Sequence, residues 1–492
     1  MCRKPKHILY IIADELRADC ISPYGNQEVH TPSLEHLARD GVTYGNAFCT
    51  FPVCTPSRYS MMTGLYAYQH RCIDNCTSIP ADLPTLPKLM REKGYLTSAV
   101  GKLHCNPPRQ EMGFDRCLLA EQCGDGRYED DYHQFLREQG LCDVIDMMDQ
   151  CSEWRDRAPA GYWESFGNRP EILPENKDST SWIGENALRQ IKEWGEEDHF
   201  LMVSFIKPHH PFDAPTEWRQ KYDPASLSLL PGWTECVPEV DYRRDQGYFD
   251  NARLTEVIQK QILASYYASI TQIDFWIGRM VEMLQSKGIY EDTMIVFTAD
   301  HGDYMGFHHM VLKCNHMYDP VMRIPLLVKY AGERGGQMER GLCSHVDLFA
   351  TILQQCQIGL PPSIPGKNLK DLKENEYVFS QQTAYGKPEY MIRTFRHKLI
   401  LSVQGGMLFD LEDDPFELDN RYEENSYQLI RRELEEILHN HLMFEAPLVP
   451  CYDRSLVYGV EDLKKIQENR AYFNGKAENS RCLLYTSDAA DD

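Results

Sequence analysis

The chain has 492 residues, 42% hydrophobic and 25% charged, which is ordinary for a globular enzyme with a large buried core. Its 51 Lys and Arg face 74 Asp and Glu, and the net charge of −23 argues against nucleic acid or anionic membrane as a partner. The same field opposes long polyanions unless a local basic pocket overrides it, so a small, singly charged anion is the favoured ligand.

The first apolar run, "HILYIIA" at 7–13, is too short for the core of an export signal and ends on Asp14 and Glu15. It reads as a buried strand. No run reaches the length of a membrane span. Seventeen cysteines without an export signal point to free thiols in a reducing compartment, so the expected location is the cytoplasm. "TPSLEHLARDG" (31–41) predicts a helix opened by Pro32 and stopped by Gly41. Next, "CTPSR" places Cys54 just ahead of a helix whose first turn holds Pro56. Backbone N–H groups at such a point attract anions, and Arg58 would reach back toward it. A packed thiol, a metal ligand and a nucleophile that is chemically altered first all fit that position.

"LPTLPKLMREKG" and "SWIGENALRQIKEWG" predict further helices that close on glycine, and 254–288 predicts a long one. Between them, "YLTSAV" (95–100) ends at Gly101, Lys102 and His104, and "HFLMVSFI" (199–206) ends at Lys207 and His209. "TMIVFTA" (293–299) ends at Asp300 and His301. Strands alternating with helices predict an α/β domain with a largely parallel sheet, in which ligands gather at the carboxyl ends of the strands. Four strands that finish on carboxylate, lysine or histidine therefore predict one shared site. Residues 118–180 are acidic, aromatic and loop-like, and either pack on the surface or cap that site.

After "RIPLLVKYAG" (323–332), four short strands and a helix near 423–442 predict a smaller α+β domain. The expected division is 1–370 and 371–481. The last stretch, "CLLYTSDAADD" (482–492), resembles a translated transposon-end adapter and is set aside as non-native.

Asp14, Glu15, Asp300 and His301 offer oxygen ligands and one imidazole, a set suited to a hard divalent cation such as calcium or magnesium. Arg58, Lys102, Lys207 and Lys313 add positive charge, which suits a tetrahedral anion whose charge grows during reaction.

"CTPSR", followed by Ser60 and Thr63-Gly64, resembles the Cys-x-Pro-x-Arg modification signature of type I sulfatases. "ADELRAD", "GKLH", "KPHHPF", "TADHGDYMGFHHMVLK", "MYDPVMRIPLLV" and "LFDLEDDPFELDN" are similar, in this order, to other segments of that family, over most of 7–415. The resemblance implies an alkaline phosphatase-like mixed sheet flanked by helices, and a sulfuric ester hydrolase that uses calcium, with magnesium or manganese behind it. It implies that a formylglycine-generating or anaerobic sulfatase-maturating enzyme converts Cys54 to formylglycine. One hydroxyl of the hydrated aldehyde would attack sulfur, and the other would lose a proton to His104 as sulfate is expelled. His209 or Lys313 would protonate the departing alcohol of a small-molecule or saccharide ester. Arg58, Lys102, Lys207 and Lys313 would hold sulfate oxygens, while Asp14, Glu15, Asp300 and His301 would bind the metal. Glu15 stands where many members carry aspartate, and His301 in place of asparagine occurs in sulfatases and in phosphonate monoester hydrolases. A phosphonate monoester or phosphodiester hydrolase is therefore a rival reading, as is a noncatalytic protein that binds sulfated ligands through an unmodified Cys54.

Overall fold

Residues 4–244, 249–384, 387–446 and 448 are described by the computed structural model, so the expected tail at 482–492 lies outside the described residues. In chain order the strands are β1 (His7–Asp14), β2 (Val42–Phe48), β3 (Leu96–Gly101), β4 (Arg116–Leu119), β5 (His199–Pro208), β6 (Thr293–Ala299), β7 (Arg323–Ile324), β8 (Leu326–Lys329), β9 (Gln337–Ser344), β10 (Val378–Ala384), β11 (Lys387–Arg393), β12 (His397–Ser402) and β13 (Gly405–Asp410). The first nine build one sheet in the order β4-β3-β5-β1-β6-β8-β2-β7, with β9 paired to β2.

The four strands expected to share a site stand side by side. β3 pairs β5, β5 pairs β1 and β1 pairs β6, all in parallel, so their carboxyl ends open on one edge. Every residue of β1 and β6 is buried, which explains their unbroken apolar runs: helices cover both faces and leave no solvent side to alternate with. β8 runs antiparallel to β6 and to β2, which makes the sheet mixed.

The expected helices form at Pro32–Asp40, Leu86–Glu92, Ser179–Glu193 and Glu256–Ser286. Asp178 and Thr255 cap the last two by accepting from the backbone N–H of Ser181 (2.7 Å) and Ile258 (3.3 Å). Among the described residues, no helix is long and apolar enough to cross a membrane. The fourteen described cysteines are all free thiols.

The region after β4 carries short helices at Asp131–Glu138 and Val144–Gln150. Here His133 is clasped between two carboxylates: Nδ1 lies 2.8 Å from Asp130 and Nε2 2.8 Å from Asp143. Burial opposes its charge, but the hydrogen bonds to both aspartates prevail and lift it to about 9. A histidine raised above its unfolded value of about 6.5 contributes stability that is complete below that pH and is lost as the pH climbs through 9. Thermal melts of His133→Gln should therefore sit below wild type at pH 6 and approach it by pH 9.5. Parallel curves across that range would contradict the clasp.

The last four strands form an antiparallel sheet, β10-β11-β12-β13. The Gln428–Asn440 helix lays Leu434 and Leu438, one turn apart, on Phe379, Ile392, Leu399 and Leu408. This sheet also braces the segment after β6. Asp319 N–H donates to Glu417 (2.7 Å), whose other oxygen is 2.6 Å from Lys398. His308 Nε2 donates to the Phe416 carbonyl at 2.7 Å, and Gln382 donates to the Asn315 carbonyl at 3.1 Å.

Candidate active site

The site is built on the open edge of the parallel strands. β1 delivers Asp14, then the backbone turns sharply at Glu15, which adopts φ 59°. Tyr266, from the Glu256–Ser286 helix, holds that turn by donating to the Glu15 carbonyl (2.6 Å) and accepting from Arg17 N–H (3.0 Å). β6 delivers Asp300, whose Oδ1 accepts from the N–H groups of Glu15 (3.1 Å) and His301 (2.9 Å). Cys54 is the first residue of the Cys54–Thr63 helix, one position further in than expected.

These parts meet. Cys54 Sγ lies 3.3 Å from His301 Nε2 and 3.7 Å from Asp14 Oδ1, and donor atoms of Asp14, Cys54, Asp300 and His301 all fall within 4.8 Å of one another. His301 Nδ1 donates to the Gly302 carbonyl at 2.9 Å, which leaves the Nε2 lone pair facing the cluster. Arg58, one turn along the helix, forks between Asp14 (2.9 Å) and Asp300 (2.8 Å), and Lys102 sits 2.6 Å from Asp14 Oδ2. Burial opposes the Asp14 charge, yet Lys102 and Arg58 hold its pKa far below the usual carboxylate range. The thiol goes the other way. Burial, then the Asp14 charge, push Cys54 up to about 12, so as a cysteine it stays a protonated, weak nucleophile.

Lys102 reaches this point because β3 ends on Gly101 at φ 103°, where a Cβ would lie 2.0 Å from the Ser204 carbonyl oxygen. Beyond it, the N–H groups of Leu103 and His104 donate to Glu121 (3.1 and 2.9 Å), which fixes the loop that carries His104. Burial, reinforced by Lys102 and Arg58, keeps His104 well below an ordinary histidine and hence neutral. Its Nε2 is 3.3 Å from Cys123 Sγ.

Glu15 belongs to a neighbouring group. Its Oε2 is 2.8 Å from Lys313, 3.1 Å from His209 Nε2 and 3.7 Å from His210 Nδ1, while the buried Oε1 has no hydrogen-bond partner. Burial works against the Glu15 charge, but Lys313 and His210 prevail and draw it down to about 2. His209 Nδ1 donates to the His210 carbonyl at 2.7 Å, so both ring nitrogens face acceptors, an arrangement that an imidazolium satisfies. Burial and Lys313 pull its pKa well below normal all the same, whereas Lys313 is held well above an ordinary lysine because Cys54 and Glu15 outweigh its burial.

The structure does not bring Lys207 to either group. Its ammonium binds Asp213 and the Pro211 carbonyl (3.0 Å), with Asp146 at 3.9 Å, because buried carboxylates next to it outcompete the site. The remaining ten expected residues lie in the two groups or, for His104, in the loop that leads from Lys102.

Several contributors escaped the sequence reading. Gln122 accepts from Lys102 (3.1 Å), Ser204 accepts from Arg58 (2.8 Å), and Asp149 stands 3.4 Å from His210 Nε2. Ser204 is a lone hydroxyl inside an apolar strand, a signal that could have found it. The region after β4 thus contacts the site as well as packing on the domain.

A family profile described as Sulfatase matches residues 6–358, and one described as N-sulphoglucosamine sulphohydrolase, C-terminal, matches 308–443. The chain is similar to an arylsulfatase of Clostridium perfringens, at 28% identity over 86% of this chain and 91% of that one. It is similar to an N-acetylglucosamine-6-O-sulfatase of Bacteroides thetaiotaomicron, at 25% identity over 88% and 86%. Its fold is similar to that of a phosphonate monoester hydrolase of Agrobacterium radiobacter, with a TM-score of 0.73 at 22% identity over 89% and 95%. The fold is that of the alkaline phosphatase superfamily of hydrolases. Within it, the chain belongs to the type I sulfatase family and is a sulfuric ester hydrolase.

Proposed function

We propose that the chain hydrolyses sulfate monoesters of small molecules or saccharides, with a formylglycine made from Cys54 as nucleophile. The observation that carries this reading is the meeting of Cys54 with Asp14, Asp300 and His301 within 4.8 Å. Those donors fit a hard divalent cation. Arg58 and Lys102 occupy Asp14 Oδ2 and leave Oδ1 open, His301 presents Nε2, and the unpartnered Oε1 of Glu15 offers a further oxygen. An oxygen-rich set with one imidazole favours calcium, then magnesium or manganese. When bound, the cation supplies charge that lowers the pKa of the hydroxyl nucleophile and stabilises the ester oxygens.

The chain supplies the rest. Arg58 fixes the two aspartates, and Lys102 and Lys313 offer ammonium groups to sulfate oxygens. His104, neutral through burial, accepts the proton released as sulfate is expelled. Lys313 or His209 gives a proton to the leaving alcohol. A formylglycine-generating or anaerobic sulfatase-maturating enzyme is the partner that this chemistry requires, and the free thiols of the fourteen described cysteines favour a reducing cytoplasm.

Mass spectrometry of the Cys54 peptide from the native host tests the nucleophile: an unmodified thiol in active protein would falsify it, whereas an unmodified thiol in protein without turnover would favour the binding-protein reading. His301 keeps one second reading alive, a phosphonate monoester hydrolase with the same groups; paired rates on an aryl sulfate and an aryl phosphonate monoester separate the two. Dialysis against a chelator should remove nearly all turnover, and calcium should restore it more fully than magnesium. Full activity in metal-stripped protein would remove the cation from the mechanism.

A further inference from the structure

We propose that Glu15, His209 and His210 form a second metal site, suited to nitrogen-preferring ions such as zinc, whose occupation inhibits the enzyme. A carboxylate oxygen and two ring nitrogens lie within 4.8 Å of one another, all three residues buried. Glu15 Oε2 is 3.1 Å from His209 Nε2 and 3.7 Å from His210 Nδ1. Each ring is oriented from behind. His209 Nδ1 donates to the His210 carbonyl at 2.7 Å, which turns Nε2 toward Glu15. His210 Nε2 faces Asp149 at 3.4 Å, and Asp149 is itself held by Tyr162 (2.7 Å) and Gln150 (2.6 Å). A carboxylate behind a histidine raises its basicity and presents the opposite nitrogen as a ligand.

Two imidazoles and one carboxylate suit zinc, nickel or copper, whereas the neighbouring donors around Asp14 are oxygen-rich and suit calcium. Lys313 lies 2.8 Å from Glu15 Oε2, so an ion entering here must push that ammonium aside. It also takes the His209 lone pair. Both losses fall on groups that the proposed reaction uses, which makes the second ion an inhibitor.

The test uses full-length, calcium-saturated protein in equilibrium dialysis against micromolar zinc, with cobalt as the spectroscopic stand-in. The expected result is one more zinc per chain in wild type than in His210→Ala, and a cobalt spectrum without sulfur-to-metal charge transfer. Zinc should also inhibit wild type at a concentration at least tenfold lower than it inhibits His210→Ala, each measured against its own zinc-free rate. If His210→Ala does not fold, Asp149→Asn takes its place, with zinc affinity lowered about 10–100-fold. Equal zinc uptake by wild type and variant, no additional zinc, or a thiolate spectrum would each overturn the proposal. The binding measurement needs no turnover, so its failure is distinct from failure of the sulfatase mechanism.

Discussion

Cys54→Ala should lower kcat/KM for an aryl sulfate by about 10^4-fold or more, the scale of loss when a covalent nucleophile is removed. The fold should survive. Only a small buried side chain is lost at Cys54, at a cost of about 1 kcal/mol, so the melting temperature should move by a few degrees. Asp14, Asp300 and His301 remain, and so does calcium-dependent stabilisation. Cys54→Ser separates size from chemistry: it preserves the packing but lacks the thiol from which the aldehyde is made. Turnover by either variant within tenfold of wild type would place the nucleophile elsewhere.

Arg58→Met should act on stability first. Arg58 is 3% exposed and forks between two carboxylates that are themselves fully buried. Removing it leaves Asp14 with Lys102 and Asp300 with the two backbone N–H groups on its Oδ1, a change that costs about 3–5 kcal/mol when a buried ion pair is broken. A bound divalent cation would neutralise the same two carboxylates. The deficit should therefore be large in chelator and shrink as calcium is added, while catalysis stays depressed at saturating calcium. Denaturant melts at two calcium concentrations check this; an equal deficit in both would mean that the guanidinium and the cation do not share the carboxylates.

Much of this site was legible because the four strands that carry it are buried on both faces. Such strands are apolar without interruption, so the polar residue where each run stops is conspicuous. Asp14, Lys102, His209 and Asp300 could be picked out in that way, and their convergence followed from parallel pairing. Lys207 shows the limit of that logic. It follows an apolar strand just as Lys102 does, but its partners come from a short helix, which holds Asp146, and a loop, which holds Asp213, and the return of neither to the sheet has a periodic signature. Glu121 and Gln122 were hidden by the shortness of β4, four residues inside a stretch that reads as irregular. Asp149 was hidden for the same reason as the partners of Lys207. Packing of a loop onto a sheet is decided by tertiary contacts that no local pattern records.

The brace between the second sheet and the segment after β6 carries a cost for any attempt to shorten this protein. Asp303 closes the loop that ends in Lys313 by accepting from the N–H groups of Met305 (2.6 Å) and Leu312 (3.0 Å), and the same segment leans on Phe416 and Glu417 some hundred positions later. A chain ending before those two residues would keep every group that could touch a sulfate, yet the lysine would be left without its scaffold. The outlying sheet is thus part of the catalytic apparatus, and a minimal enzyme cut back to the larger sheet would be complete in inventory and deficient in aim.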